Sequence, residues 1–282
     1  MDERQGLTLV ELLVVVGVVT SILPLVLCTR LLMLAQQRQS QMGQVQTLPC
    51  QANLQQWALV FAMYTEENDG YFFSGGGGAD GRWWMDATLS LWQADLDIFQ
   101  CPLEMVAEAS AKGDGDPFGT RQADGEVGSY GLNGWVCNPR QGKMDLRGRG
   151  PITDYWRSPN IKGAGKIPVF LDAMWSEGWP RDTDNPPPVE DWPGGRVDQN
   201  TMKANQNEVR RFCVNRHKSR VNVLFMDWSV RSVGLKELWT LKWHRNYDMN
   251  GPWTSAGGVS PTDWPPWMRN FKDYRGRCLA AR

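Results

Sequence analysis

Two histidines and a scatter of carboxylates are the residues of this 282-residue chain whose types invite a catalytic or metal-binding reading. His217 and Asp227 stand ten positions apart and would suit a metal pair, or a general base with the carboxylate that orients it. The segment between them, however, reads as one extended strand, which at ~3.3 Å per residue separates the two side chains by about 30 Å. Separate hydrogen-bonding roles at the two ends of that strand are therefore expected. His244 and Asp248 have i,i+4 spacing, but Asn246 and Tyr247 between them offer no further metal ligand. Asp182, Asp184, Glu190 and Asp191 bring oxygens to one loop, the donor type that Ca²⁺ takes, without the spacing of an EF-hand. An acidic surface loop is usually only solvated, so no cofactor is assigned. The sequence holds no nucleophile elbow, paired-carboxylate signature or nucleotide loop, and an enzyme is not expected.

One further carboxylate stands out by its surroundings. Glu11 is the only charge between Gly6 and Arg30, and Leu12 to Thr29 is an uncharged run of eighteen residues. As a helix that run measures about 27 Å at ~1.5 Å per residue, close to the ~30 Å of a bilayer core. A carboxylate at the head of such a stretch is costly in lipid and needs a reason.

The elements that would position these groups follow from apolar periodicity. Beyond Arg30 the chain thins from apolar to Gln-rich, and Pro49 is expected to kink or restart a helix, with Thr47 as a possible N-cap. Leu54, Trp57, Ala58, Phe61 and Tyr64 then recur at helical spacing, and Gly70 after Asn68-Asp69 ends the run. Ile167 to Trp175 reads as a buried strand, and Val221 to Val233 as two strands turning at Asp227-Trp228. Segments 105–128, 138–166 and 178–200 are rich in turn formers and charges and read as surface loops, and the Gly75–Gly78 run as a flexible one. The basic residues Arg210, Arg211, Arg216, Lys218 and Arg220 are expected to be a solvated approach to the hairpin rather than a nucleic-acid site, since net charge is only −1.

The N-terminal pattern resembles the type IV prepilin and type II secretion pseudopilin signal: a short leader ending in glycine, then a Phe-Thr-Leu-x-Glu opening and a membrane helix. Here the matching residues are Gly6, Leu7, Thr8, Leu9, Val10 and Glu11, with Leu7 in place of Phe and an unusually acidic leader carrying Asp2 and Glu3. The resemblance implies cleavage between Gly6 and Leu7 by a prepilin peptidase, N-methylation of Leu7, and assembly into a filament in which Glu11 pairs with a neighbour's terminal amine and sets register. Elsewhere the chain resembles a pseudopilin-like group common in Planctomycetes and relatives, marked by a His, nine residues and Asp-Gly. His217 and Asp227 match it, as do Cys50, Asn53 and Leu54, the Asn68-x-Gly70-Tyr71 turn, Cys101-Pro102, and Ser129, Tyr130 and Asn133. Trp228 replaces the glycine that allows a tight turn, so a different or longer turn is expected here.

These resemblances imply a pilin-like α+β fold: a long N-terminal transmembrane and assembly helix packed on a small antiparallel sheet, with long Gly/Pro/Trp-rich loops. The implied divisions are a leader at 1–6, a membrane helix at 7–30, its periplasmic continuation at 31–69 and a globular head at 70–282. Implied placement is single-pass in the inner membrane with the head in the periplasm. Implied partners are the prepilin peptidase, other pilin or pseudopilin subunits and the secretion or pilus assembly platform, with no nucleic acid. Of six cysteines, Cys28 falls in the apolar run; Cys50, Cys101, Cys137, Cys213 and Cys278 are an odd set, so at least one stays outside an internal bridge. Spacing does not decide the connectivity, and Cys50 with Cys101 is the pairing expected. Fifteen tryptophans admit two readings, packing pieces for a loop-rich domain or stacking rings on a tethered carbohydrate-binding protein. The second would use Trp83, Trp84, Trp175, Trp179, Trp192, Trp264 and Trp267.

Overall fold

In the computed structural model the chain divides into two units, Met1–Gln46 and Thr47–Arg282. The residues described are Arg30, 47–75, 83–92, 96–102, 120–121, 127–140, 146, 148–190 and 207–275. The leader, Leu7, Glu11 and the apolar run to Thr29 lie outside them. Arg30 is helical and exposed.

Within the second unit the backbone is helical throughout 47–67, here α1. Leu54, Trp57, Ala58 and Phe61 are buried along one face, while Gln55, Gln56, Glu66 and Glu67 are exposed on the other. The helix ends where Asp69 and Gly70 take positive φ, with the Gly70 amide donating to the Thr65 carbonyl at 2.8 Å. A second helix, α2, spans Trp84–Trp92. Two short strands, β1 (Thr120–Arg121) and β2 (Val127–Gly128), pair with each other. The main sheet consists of β3 (Tyr130–Asn133), β4 (Pro168–Asp172), β5 (Glu177–Gly178), β6 (Arg220–Phe225) and β7 (Val230–Gly234) in the order β5-β3-β4-β6-β7.

Two expectations are corrected here. The sheet is mixed rather than antiparallel, because β5 runs parallel to β3, whereas the β3–β4, β4–β6 and β6–β7 pairs are antiparallel. The long transmembrane and assembly helix is not seen: among the described residues no helix is long and apolar enough to cross a membrane. The expected single-pass inner-membrane placement with a periplasmic head is corrected to the same extent: the described residues supply no span for it. The apolar run expected to form that helix lies outside the described residues, and α1, with its Gln- and Glu-bearing outer face, is an amphipathic helix that packs on the sheet.

The central strands β3 and β4 are buried at every position, so their residues face cores on both sides. On one side Phe170 of β4 meets Trp57 and Phe61 of α1 at ring separations of 5.0 and 5.4 Å, and Trp84 of α2 at 5.2 Å. Elsewhere the core is built on aromatic contacts between irregular segments, among them Phe212 stacked on Trp243 and Trp264 edge-on to Trp239. Segments expected as surface loops contribute to it: Tyr155, Trp156, Trp179 and Asp184 are all buried. The indole N–H groups explain how. Trp57, Trp135, Trp156, Trp239, Trp243 and Trp267 each donate to a backbone carbonyl, those of Ile98, Pro180, Trp243, Asp184, Leu238 and Pro187 respectively. Each ring thus fills volume while its N–H finds a backbone carbonyl as partner.

The β6–β7 hairpin turns through Met226, Asp227 and Trp228, closed by Trp228 N–H to Phe225 O at 2.9 Å and Phe225 N–H to Ser229 O at 2.8 Å. This is a three-residue loop whose last position requires the left-handed region, where glycine is usual. Trp228 occupies it at φ 65°. The loop is longer than a two-residue turn at Asp227-Trp228, as expected, yet it still places Trp228 in the left-handed region; the residue accepts the strain, and its half-buried ring sits 6.3 Å from Phe72. Comparing Trp228→Gly with Trp228→Ala removes the ring in both and the strain in one. Chemical denaturation should show the glycine variant more stable than the alanine variant by about 1 kcal/mol; equal stabilities would mean that the turn relaxes.

Candidate functional site

Asp172 ends β4 with its carboxylate fully buried, and groups from β6 and from the segment that precedes it converge on it. Its Oδ1 accepts from Arg216 Nη1 at 3.2 Å, and its Oδ2 accepts from the Asn222 backbone N–H at 2.6 Å and lies 3.2 Å from His217 Nε2. Arg216 also donates to the Ser129 carbonyl at 2.8 Å and the Ala173 carbonyl at 3.2 Å, tying the strand ends of β3 and β4 to the segment that leads into β6. Burial by itself pushes the Asp172 carboxyl up. His217, Arg216 and the Asn222 amide together outweigh that and hold it below the ordinary carboxylate value.

Beside this ion pair lies the Cys50–Cys101 disulfide, which closes a sequence separation of 51 residues and fastens α1 to the segment after Phe99. The expected pairing is the one present. His217 Nε2 is 3.6 Å from Cys101 Sγ, and Cys50, Cys101 and His217 present their donor atoms within 4.8 Å of one another. The Cys101 amide donates to Ser129 Oγ, the Tyr130 hydroxyl to the Cys50 carbonyl at 3.3 Å, and Gln51 Nε2 to Asn222 Oδ1 at 3.1 Å. Asn53 Nδ2 donates to the Gln100 carbonyl at 2.8 Å. Asn133 works further along β3, donating to the Pro168 and Trp243 carbonyls at 2.8 and 3.0 Å while accepting from the Trp135 amide.

His217 and Asp227 serve different neighbours. His217 faces Asp172 and Cys101 in the interior, whereas the exposed Asp227 accepts from the amide and hydroxyl of Ser229 within its own turn. Asp172, Arg216 and Ser129 escaped the sequence reading as a set. The available signal was Asp172 itself, a charge closing the apolar run from Ile167 to Leu171. The basic run is not the solvated approach expected: Arg216 is buried in the cluster, and burial pushes Arg211 down to about 10. Only Lys218 and Arg220 of that run are exposed.

The acidic loop is spoken for by the protein. Asp184 accepts backbone amides from Arg181, Asn207 and Val209, and Glu190 accepts from Asn215 Nδ2. Asp191 lies outside the described residues. His244 packs 4.8 Å from the Trp135 ring, and burial, aided by Lys242 and Arg181 and only partly opposed by Asp154, pushes it down from 6.5 to about 4. Cys213 is buried, which pushes its thiol up.

Among the described tryptophans none is exposed. Trp84, Trp179 and Trp264 are buried and Trp83, Trp175 and Trp267 half-buried, so the rings proposed for sugar stacking are packing pieces. Trp192 lies outside the described residues. Comparison with protein families, with curated proteins and with solved structures finds no match.

Two measurements test the electrostatics. Asp172→Asn leaves the Arg216 charge buried without its counter-ion, and urea unfolding should show a loss of about 3–5 kcal/mol; a loss under 1 kcal/mol would mean that the cluster is not a paired charge. His244 has a folded-state value below its unfolded one, so the folded form binds fewer protons there. Stability is fully present above pH 6.5 and falls as pH drops toward 4, by on the order of 2–3 kcal/mol. Asp172, also depressed, adds its loss only below its ordinary value of 3.8. His244→Gln should flatten the upper window alone.

Proposed function

We propose that this protein is a pseudopilin-like structural subunit of a filament related to type II secretion or type IV pilus systems, processed between Gly6 and Leu7. The observation that carries the reading is the sequence Gly6-Leu-Thr-Leu-Val-Glu11 followed by eighteen uncharged residues, a placement of one carboxylate that a plain apolar segment does not need. Its partners are a prepilin peptidase, which releases Leu7 for N-methylation, other pilin or pseudopilin subunits, and the assembly platform. Glu11 sets the register between neighbouring subunits by pairing with a terminal amine.

A mechanical role for the head is supported by how its polar residues are used. The residues shared with the planctomycete group are spent on holding strands, helix and disulfide together: Tyr130 on the Cys50 carbonyl, Asn53 on Gln100, Asn133 on Pro168 and Trp243, and His217 on Asp172. A subunit that bears load between neighbours needs such a braced body, and this one couples α1 to the segment after Phe99 through a covalent bridge. The stacked-ring alternative is less favoured, because Trp84, Trp179 and Trp264 are buried and Trp83, Trp175 and Trp267 half-buried.

Mass spectrometry of the N-terminal peptide from protein isolated from its own cells tests this. The expected chain begins at N-methyl-Leu7, and Gly6→Leu should leave it beginning at Met1 and absent from sheared filaments. A wild-type chain that begins at Met1, or that is cut beyond Thr29, sinks the filament reading.

A further inference from the structure

The three donor atoms of Cys50, Cys101 and His217 come from segments too far apart in the chain for any ligand spacing to show. They nonetheless meet in one fully covered place. Tetrahedral Zn²⁺ with bonds of about 2.3 Å to sulfur and ~2.0–2.1 Å to imidazole nitrogen separates a sulfur from a nitrogen ligand by about 3.6 Å. Cys101 Sγ and His217 Nε2 already stand 3.6 Å apart. The two sulfurs, now joined in the disulfide, would have to separate to about 3.8 Å, a movement that two cysteine rotamers can supply once the bond is broken.

We propose that this cluster is a convertible site: a disulfide under oxidising conditions and, when reduced, a Cys50–Cys101–His217 site for Zn²⁺ or a similar soft divalent cation. The charge balance suits the interior. Two thiolates and a neutral imidazole around a dication make a centre with no net charge, which a covered site requires, and the adjacent Asp172–Arg216 pair is already neutral as a unit. When Nε2 turns to the metal, Asp172 keeps its bonds from Arg216 and the Asn222 amide, so its carboxylate is not abandoned. The Nδ1 of the same ring has no hydrogen-bond partner among the described residues, so no carbonyl or carboxylate ties down that side of the ring.

The conversion balances without further components. A cellular dithiol reduces the bridge by exchange and leaves as its own disulfide, giving two protein thiols. Binding of the dication then displaces both thiol protons to solvent. Either form closes the same loop between α1 and the segment after Phe99, so the head stays braced in both redox states.

The test uses the full chain in detergent, with a tertiary phosphine and water reducing the bridge and becoming the phosphine oxide. Titrating the reduced, metal-free protein with Co²⁺ should give one ion per chain, with thiolate charge-transfer absorption and the intense d–d bands of a tetrahedral site, displaced by Zn²⁺. Oxidised protein should give none. Cys50→Ser should lose the two-thiolate spectrum, and His217→Ala should weaken binding beyond the roughly 10–100-fold cost of removing an outer-shell partner. Should those variants fail to fold, X-ray absorption of the Zn²⁺ form of the unaltered protein decides: two sulfurs at about 2.3 Å with nitrogen or oxygen at about 2.0 Å is expected. Binding without sulfur ligands, binding indifferent to His217, or no binding by the reduced chain overturns the proposal.

Discussion

A carboxylate buried without exposure cannot stay charged unless its surroundings replace water, and Asp172 obliges the fold to do so. Its two oxygens collect a guanidinium, an imidazole and a backbone amide, and these arrive from the segment that precedes β6 and from β6 itself. Arg216, once drawn in, has donors to spare, and it spends them on the carbonyls of Ser129 and Ala173. One charge thereby dictates how the ends of β3, β4 and β6 meet. The disulfide that secures α1 is seated against the same histidine. Remove the carboxylate and the arginine is left as a buried charge in its place, which is why such a pair specifies an arrangement more firmly than it stabilises one.

Around that point the protein manages with little regular structure. The main sheet has only short strands, and much of the chain between β4 and the C-terminal region is turns and single-turn helices. Backbone groups in such segments must find partners outside ladders, and six indole N–H groups take over part of that duty. Lys236 does the same at the far end, its covered ammonium held by Asp273 and the Arg269 carbonyl above the face of Trp264. The tryptophan content is the consequence of a fold that closes loops on side chains.

Both His217 and Asp227 act as local fasteners, one turned inward to a charge and a disulfide and one outward to its own turn. The hairpin between them tolerates a tryptophan where glycine would be unstrained, since the ring gains cover beside Phe72.

Local pattern was enough to read α1 as an amphipathic helix, Ile167–Trp175 as a buried strand, the β6–β7 hairpin and its turn position, because periods of 3.6 and 2 and the turn formers are written in neighbouring residues. The Gly6–Glu11 pattern on which the proposed function rests is likewise a property of consecutive residues. Pattern could not show that β5 would run parallel to β3, since a two-residue strand has no periodicity, and the antiparallel expectation failed there. Nor could it show that Arg216 would leave a basic run for the interior while Lys218 stayed outside; adjacent charges look alike until a partner such as Asp172 is placed. The meeting of Cys50, Cys101 and His217 was decided by tertiary structure alone, as contacts across 51 and 116 residues depend on how the sheet and helix pack.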